Sequence, residues 1–563
     1  MKNGKIFFLA LGVFVFLAGG CSLFGGESGI QPEAALPEDS LMVVSIDRSD
    51  KDQSAKLKNL MEKFPKNGLG QKLIDQYNAA VADDQKFSVW GPVFKNEWKV
   101  VFGVKTQGES VEEISDKNLE FYLVGKFAEA DKLETILDKE LGAQKEDDGV
   151  NYWVNNDLFV TRSDEFFVMA QNVENMKSAL DRLDDESGFN IEEKTAFAPG
   201  LAGGNLGYFY LNSENASSFA KVLEEELPGV ESSLKGLGDM YMILTADKDN
   251  LRFKSHTLVN DSEKNTSMVT DYVPQLISKV PGMDMIMFAE QGSMETIFEA
   301  VYETLSIEAG SDPEAEVLKT IAAFATLEVD EVKAIVDSPV AFSMSYVDQL
   351  YPAMMLYLDL EKEEVEAAKK LALAFDQYVD EIMKSFDDLV ALEADNVKGA
   401  LKKAPVVVNG GGMHKAYLDW SAFKDEDLAA LNVVPGINVK DLKVEFYYGV
   451  TGDNVMVFGL YPGFDKVYGE DVFAENEDFK KAEKTLDSGR GFVVSYFQTE
   501  PLLMLADKYF KVVQGMGMLK PQDEKTYEMI RKSVGTVQYI ISTSKEEDNA
   551  IKGEGAVRIE SVK

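Results

Sequence analysis

Cysteine is almost missing from this chain: Cys21 is the only one in 563 residues. A single thiol closes no intramolecular disulfide and completes no Cys-based zinc set, so stability has to come from packing. Histidine is nearly as scarce, with only His256 and His414. Two isolated imidazoles exclude the His-Glu-x-x-His zinc helix and leave little for general-base chemistry. Positive charge is in deficit, with 57 Lys and Arg against 97 Asp and Glu and a formal net charge of -40. Such a surface repels nucleic acid and favours solubility, basic partners or divalent cations. No apolar run outside the first 20 residues is long enough to span a bilayer. The Gly-x-Ser-x-Gly elbow and the Walker loop are absent too, and Gly200-Leu201-Ala202-Gly203-Gly204 precedes a strand instead of opening a helix. The Ser-x-x-Lys tetrads at Ser218 and Ser232 have no companion Lys-Thr-Gly in the chain. Acidic clusters such as Glu224-Glu225-Glu226 read as solvated helix surface, although paired carboxylates are the one set left for a hydrolase. No cofactor site is expected.

What is present begins at the N-terminus. Lys2 and Lys5 precede an apolar run from Ile6 to Leu17, and Ala18-Gly19-Gly20 leads into Cys21. A charged start, a short apolar core and small residues make a secretory signal over residues 1–20. The stretch closing on Cys21 resembles the lipobox of bacterial lipoproteins, with Leu17 four residues before the Cys and Ala18 in the third place. The resemblance implies that Cys21 is diacylated, becomes the first residue of the mature chain and anchors it in a membrane of the cell envelope. Two acyl chains suffice for stable anchoring. Residues 21–35 then form a Gly-rich tether. Ser22 stands where an Asp would imply retention at the inner membrane, so the resemblance points to the outer membrane.

The body opens on Leu36-Pro37-Glu38-Asp39-Ser40 and an apolar stretch from Leu41 to Asp47, a buried strand. An amphipathic helix follows, with Leu57, Leu60, Met61 and Phe64 on one face and Lys56, Lys58, Lys63 and Lys66 on the other. Leu-Pro-x-Asp, a Val-Val-Ser-Ile-Asp strand and a helix ending at Phe64-Pro65 resemble an uncharacterised family of exported bacterial proteins, most clearly over residues 36–66. That resemblance implies no activity, substrate or site.

Farther along, Glu120 to Val124 predicts a strand and Ala128 to Leu141 a helix. Asn151 to Thr161 and Glu165 to Gln171 predict two strands turning at Ser163-Asp164. Asn172 is placed to cap the next helix. A strand from Gly207 to Asn212 leads into a helix through Phe219 and Val222, and a hairpin turns at Asp247–Asn250. The second half replays this order. Met283 to Ala289 stands for the first strand. Met354 to Asp359 with the helix from Val365 to Phe386 repeats the strand and helix of 120–141. The pairs around Gly452-Asp453-Asn454 and Lys545–Asn549 repeat the two turns. The drift in spacing puts insertions at Ser306–Asp337 and Asp387–Ala404. The expected fold is therefore α+β in two tandem related copies, 36–268 and 269–563, each an antiparallel sheet with packed helices.

Two residue sets stand out. Met283-x-Met285-x-Met287 places thioethers, soft ligands suited to Cu(I), on one strand face, where they would equally serve as core filling. Lys56, Lys58, Lys63 and Lys66 make a basic face near the anchor that would meet anionic headgroups at about 1 kcal/mol each, or simply face solvent. The reading of the whole is a lipid-anchored, non-enzymatic binding or assembly-support protein, partnered by the membrane and by other envelope proteins or an apolar ligand. A carrier, with sheet and helix enclosing a lipid-sized pocket, is the first rival, and a carboxylate hydrolase the second.

Overall fold

The computed structural model describes residues 30–65, 98–106, 119–155, 158–199, 201, 204–212, 237–259, 271–294, 313–391, 399–424, 428, 438–547 and 550–562. Cys21 and the signal, Lys66, the Ser-x-x-Lys tetrads at Ser218 and Ser232, and the helix through Phe219 lie outside the described residues. The fold is α+β, with eleven α-helices and twenty strands among the described residues. Among the described residues, every strand pairing whose register is resolved is antiparallel. Contacts divide the chain into two compact units, Met1–Lys264 with Glu547–Lys563, and Asn265–Glu546. The closing segment therefore belongs with the first unit.

In unit 1, β1 (Met42–Asp47) is followed by α1 (Lys51–Met61), β2 (Trp98–Thr106) and β3 (Leu119–Phe127). Next come α2 (Ala130–Leu141), β4 (Lys145–Asp147), β5 (Val150–Asn155), β6 (Leu158–Ser163) and β7 (Phe166–Ala170). Helices α3 (Val173–Asp185) and α4 (Ile191–Lys194) precede β8 (Gly207–Leu211), β9 (Leu237–Ala246) and β10 (Asn250–Val259). The last strand of the chain, β20 (Ala550–Ile559), pairs with β10. Across the sheet the order runs β4-β5-β6-β7-β3-β2-β1-β8-β9-β10-β20.

Alternation along the strands gives this sheet two apolar faces. One carries Trp98, Phe127, Trp153 and Phe167 against Leu133 and Leu137 of α2. The other carries Val43, Val101, Val168 and Tyr210 against Met176, Ala179 and Leu183 of α3. Asn172 caps α3, its side chain accepting from the Asn175 N–H at 2.7 Å. The expected single strand from Asn151 to Thr161 is in fact the hairpin of β5 and β6. Both arms read as strand, and the turn is signalled by Asn155-Asn156-Asp157 between them, which a single-strand reading passes over.

Unit 2 opens with β11 (Met285–Gln291), then α5 (Pro313–Ala325), α6 (Val329–Asp337), β12 (Val340–Ser345) and β13 (Ala353–Asp359). The 27-residue helix α7 (Val365–Ala391) leads to β14 (Leu401–Val408), β15 (Gly411–Leu418), β16 (Glu445–Val450) and β17 (Val455–Leu460). The rest is α8 (Phe464–Val467), α9 (Glu477–Glu483), β18 (Val493–Gln498), α10 (Thr499–Gly515), α11 (Pro521–Gly535) and β19 (Val537–Glu547). Its sheet runs β14-β15-β16-β17-β13-β12-β11-β18-β19. The β14–β15 hairpin turns at Asn409-Gly410, both with positive φ, where an Asn-Gly pair is the favoured turn. Pro405, which has no N–H to give a ladder, sits in β14 at the sheet edge.

Candidate functional site

Among the described residues, unit 2 contains an almost wholly apolar cavity of about 270 Å³. Its floor is one face of the sheet: Leu356 and Leu358 of β13, Met456 and Phe458 of β17, and Tyr448 of β16. These residues are neighbours by register, Leu356 opposite Phe458 and Leu358 opposite Met456. The roof is three helices, with Ile321 and Phe324 from α5, Val332, Ile335 and Val336 from α6, and Leu371, Ala372 and Phe375 from α7.

The local sequence explains the roof. On α5, Leu318, Ile321, Ala322 and Ala325 recur at helical spacing and turn inward. Helix α6 is capped where the Glu331 carboxylate accepts from the Glu328 N–H at 2.9 Å, which also holds that acid below the usual carboxylate range. On α7, small Ala367, Ala368 and Ala372 alternate with larger residues, so the helix approaches the sheet closely in one turn and leaves room in the next. At the rim the Phe324 and Tyr378 rings meet edge-on at 6.3 Å, each about half exposed at 48% and 47%. Ile382, one turn beyond Tyr378, is 42% exposed and extends the apolar rim.

One end of the cavity meets a polar network. Tyr448, a floor residue, donates its hydroxyl to Asp376 Oδ1 at 2.6 Å. His414 Nδ1 lies 3.0 Å from the same oxygen, and its ring stacks on Tyr448 at 5.5 Å. Lys403 Nζ donates to Asp376 Oδ2 at 2.8 Å. Burial would raise the Asp376 pKa, but the Lys403 and Tyr448 hydrogen bonds and the His414 charge outweigh it and hold the acid below its ordinary value. Burial and the same carboxylate push the Tyr448 phenol far up, so it stays a donor.

The residues singled out from sequence fall elsewhere. Met283 precedes β11 and is exposed, while Met285 is buried and Met287 half-buried. A register shift separates the last two, and Ser345 Oγ lies 3.5 Å from the Met285 sulfur. On α1, Lys56 pairs with Asp52. Lys63, just past the helix, reaches Asp249 Oδ1 at 2.8 Å and the Ile559 carbonyl at 2.9 Å, which ties it to β10 and β20. His256 lies buried in β10 with its ring 5.7 Å from Phe197, and His414 lies in β15 in the network above. Sequence reading marked residues 306–337 only as an insertion. The apolar stripe on α5 was the available signal, but a stripe does not disclose a hollow beneath it.

No protein-family model and no curated protein matches the chain. Among solved structures it is similar to TP0453 in crystal forms III, I and IV, at 13%, 15% and 14% identity. Those alignments cover 43%, 42% and 44% of this chain and 84%, 82% and 89% of TP0453. Their TM-scores are 0.27, 0.25 and 0.27, too low to carry an argument about fold or function.

Proposed function

We propose that the chain is a non-enzymatic, lipid-anchored envelope protein whose second unit takes an apolar ligand, an acyl chain, into the cavity under α5, α6 and α7. The carrier reading, the first rival at the sequence level, gains most from the geometry. The observation that carries it is the cavity itself, about 270 Å³ with a continuous aliphatic and aromatic lining and a half-exposed aromatic rim. An apolar cavity of ~150 Å³ already stays dry and takes up benzene, and drug-sized sites start near ~300 Å³. This volume suits a slender chain more than a bulky ring system.

The reading includes a tandem duplication. Adding ten to each strand number of β4-β5-β6-β7-β3-β2-β1-β8-β9 reproduces the sheet order of unit 2. Strand β20 would be the tenth member of that second series. On this view α5 and α6 were added to one copy and provide the roof.

Native mass spectrometry of the gently purified full chain, with palmitic acid as probe, tests the cavity. One equivalent is expected to bind. Ala372→Leu, which grows into the hollow, should block uptake and leave the unfolding midpoint unchanged or raised by about 1 kcal/mol of stability. No uptake by the wild type, or equal uptake by Ala372→Leu, would end the proposal.

A further inference from the structure

A second cleft, of about 690 Å³, lies in unit 1 on the sheet face opposite α2. Four neighbouring strands supply its floor: Ser45 and Asp47 from β1, Lys99 from β2, Tyr208 from β8 and Tyr241 from β9. Residues of α4 and the turn after it form the other wall, and Asp50 lies at the rim.

The cleft contains an unsatisfied polar group. Ser45 is 2% exposed and lines the cleft, yet its hydroxyl has no hydrogen-bond partner among the described residues. A buried hydroxyl left unpaired is destabilising, so a ligand that pairs with it gains on binding. Behind the floor, Glu33 is 1% exposed, pairs with Lys99 at 2.6 Å and accepts from the Tyr208 hydroxyl at 2.8 Å. Its other oxygen, Oε2, also has no partner among the described residues.

The charge is one-sided. Lys99, the only lysine in the wall, is shared between Glu33 at 2.6 Å and Asp47 at 3.9 Å. Asp47 also accepts from the Ser49 N–H and hydroxyl, and Asp50 caps α1, so one ammonium stands against the four acids Glu33, Asp47, Asp50 and Glu192 around the cleft. The rings of Tyr208 and Tyr241, 5.8 Å apart, flank that negative region. Carboxylates, an acceptor hydroxyl and aromatic faces together match an ammonium group, which donates to the first two and is attracted by the third. An anion would be repelled, and a neutral polyol would use the hydroxyl but not the field.

We infer that this cleft binds a small alkyl polyamine, with an ammonium group at Ser45 and the carboxylates of Asp47, Asp50 and Glu192 around it. The site is independent of the acyl cavity, and failure of one leaves the other standing.

Isothermal titration of the full chain with spermidine tests it, with trehalose as a neutral probe. Saturable one-to-one binding is expected, weakened by added salt. Ser45→Ala should weaken it about tenfold while the unliganded protein melts no lower than the wild type, because the orphaned hydroxyl is gone. Glu192→Gln, on the exposed side of α4, should weaken it by a smaller factor, and Glu381→Gln on α7 should leave it unchanged. The inference is overturned if spermidine shows no saturation, if Glu381→Gln weakens binding as much as the cleft variants do, or if trehalose binds instead.

Discussion

The two units put helices on the same kind of antiparallel sheet and differ in how completely those helices fill the space beneath them. In unit 1, α2 packs Leu133 and Leu137 onto Trp98, Trp153, Phe127 and Phe167, all of them buried. In unit 2, α7 and the two helices before β12 span a wider roof, and about 270 Å³ remains empty. The opposite faces show the reverse. Unit 2 closes its second face with Phe288, Phe473, Phe479 and Tyr496, ring against ring at 4.7 to 5.5 Å. Unit 1 covers part of its second face with α3 and leaves the polar cleft beside α4. Strand order alone does not decide where such a molecule is hollow. Side-chain volume at a few covering positions does, because interiors are close-packed and a missing ring leaves a void.

Truncation should break this comparison most sharply. Trp153 is fully buried and donates its indole N–H to Asp138 Oδ1 at 3.0 Å, which fixes α2 to the sheet. Trp153→Ala is expected to cost ~3–5 kcal/mol. Phe324 faces the hollow on one side and solvent on the other, so Phe324→Ala should cost about 1 kcal/mol or less. Chemical denaturation of both variants measures the difference, and equal losses would mean that the cavity is closed in solution.

The next effect is electrostatic and has a defined sign. Asp376 has a folded pKa below its ordinary 3.8, so its network stabilises the protein above that value and is lost as pH falls through the folded pKa. Asp376→Asn should therefore destabilise at neutral pH by ~1–3 kcal/mol, since the carboxylate charge shared by Lys403, Tyr448 and His414 is lost and an NH2 donor replaces one of its two acceptor oxygens. The gap between variant and wild type should close below about pH 3.8. Thermal unfolding across the acid range checks it, and a gap independent of pH would show that the network contributes by packing alone.

Much of this architecture was legible in the sequence, and the losses have physical causes. The turn at Ser163-Asp164, the Asn172 cap and the strand-then-helix unit at 353–391 carry local signals of periodicity and turn chemistry, and they stand where expected. The β5–β6 hairpin was missed although Asn155-Asn156-Asp157 marks its turn, because the similar aromatic and β-branched arms favoured reading one long strand. The apolar cavity draws its lining from residues 294 to 458, and its emptiness is a sum of volumes across helices that sequence spacing does not align. The polar cleft is assembled from β1, β2, β8 and β9, far apart in the chain, and Ser45 alone reads as an ordinary polar position in an apolar strand.

The smallest expected effect concerns the basic face of α1, where four lysines read alike in sequence but three described ones stand differently. Lys56 pairs only with Asp52 one turn away, a solvent-exposed contact worth a few tenths of a kcal/mol at most. Lys63 is bound to Asp249, itself held by Arg558 at 3.2 Å, and to the Ile559 carbonyl, with its side chain only 18% exposed. Reversing Lys56 and Lys58 to Glu should thus change stability by less than about 0.5 kcal/mol. Lys63→Glu should cost ~1–2 kcal/mol, because a new acid would face Asp249 where an ammonium now bridges α1 to β10 and β20. A test of headgroup binding on anionic vesicles belongs with the Lys56 and Lys58 pair, whose loss touches charge alone. If those two reversals leave vesicle binding intact, the helix face is solvated surface and takes no part in headgroup binding.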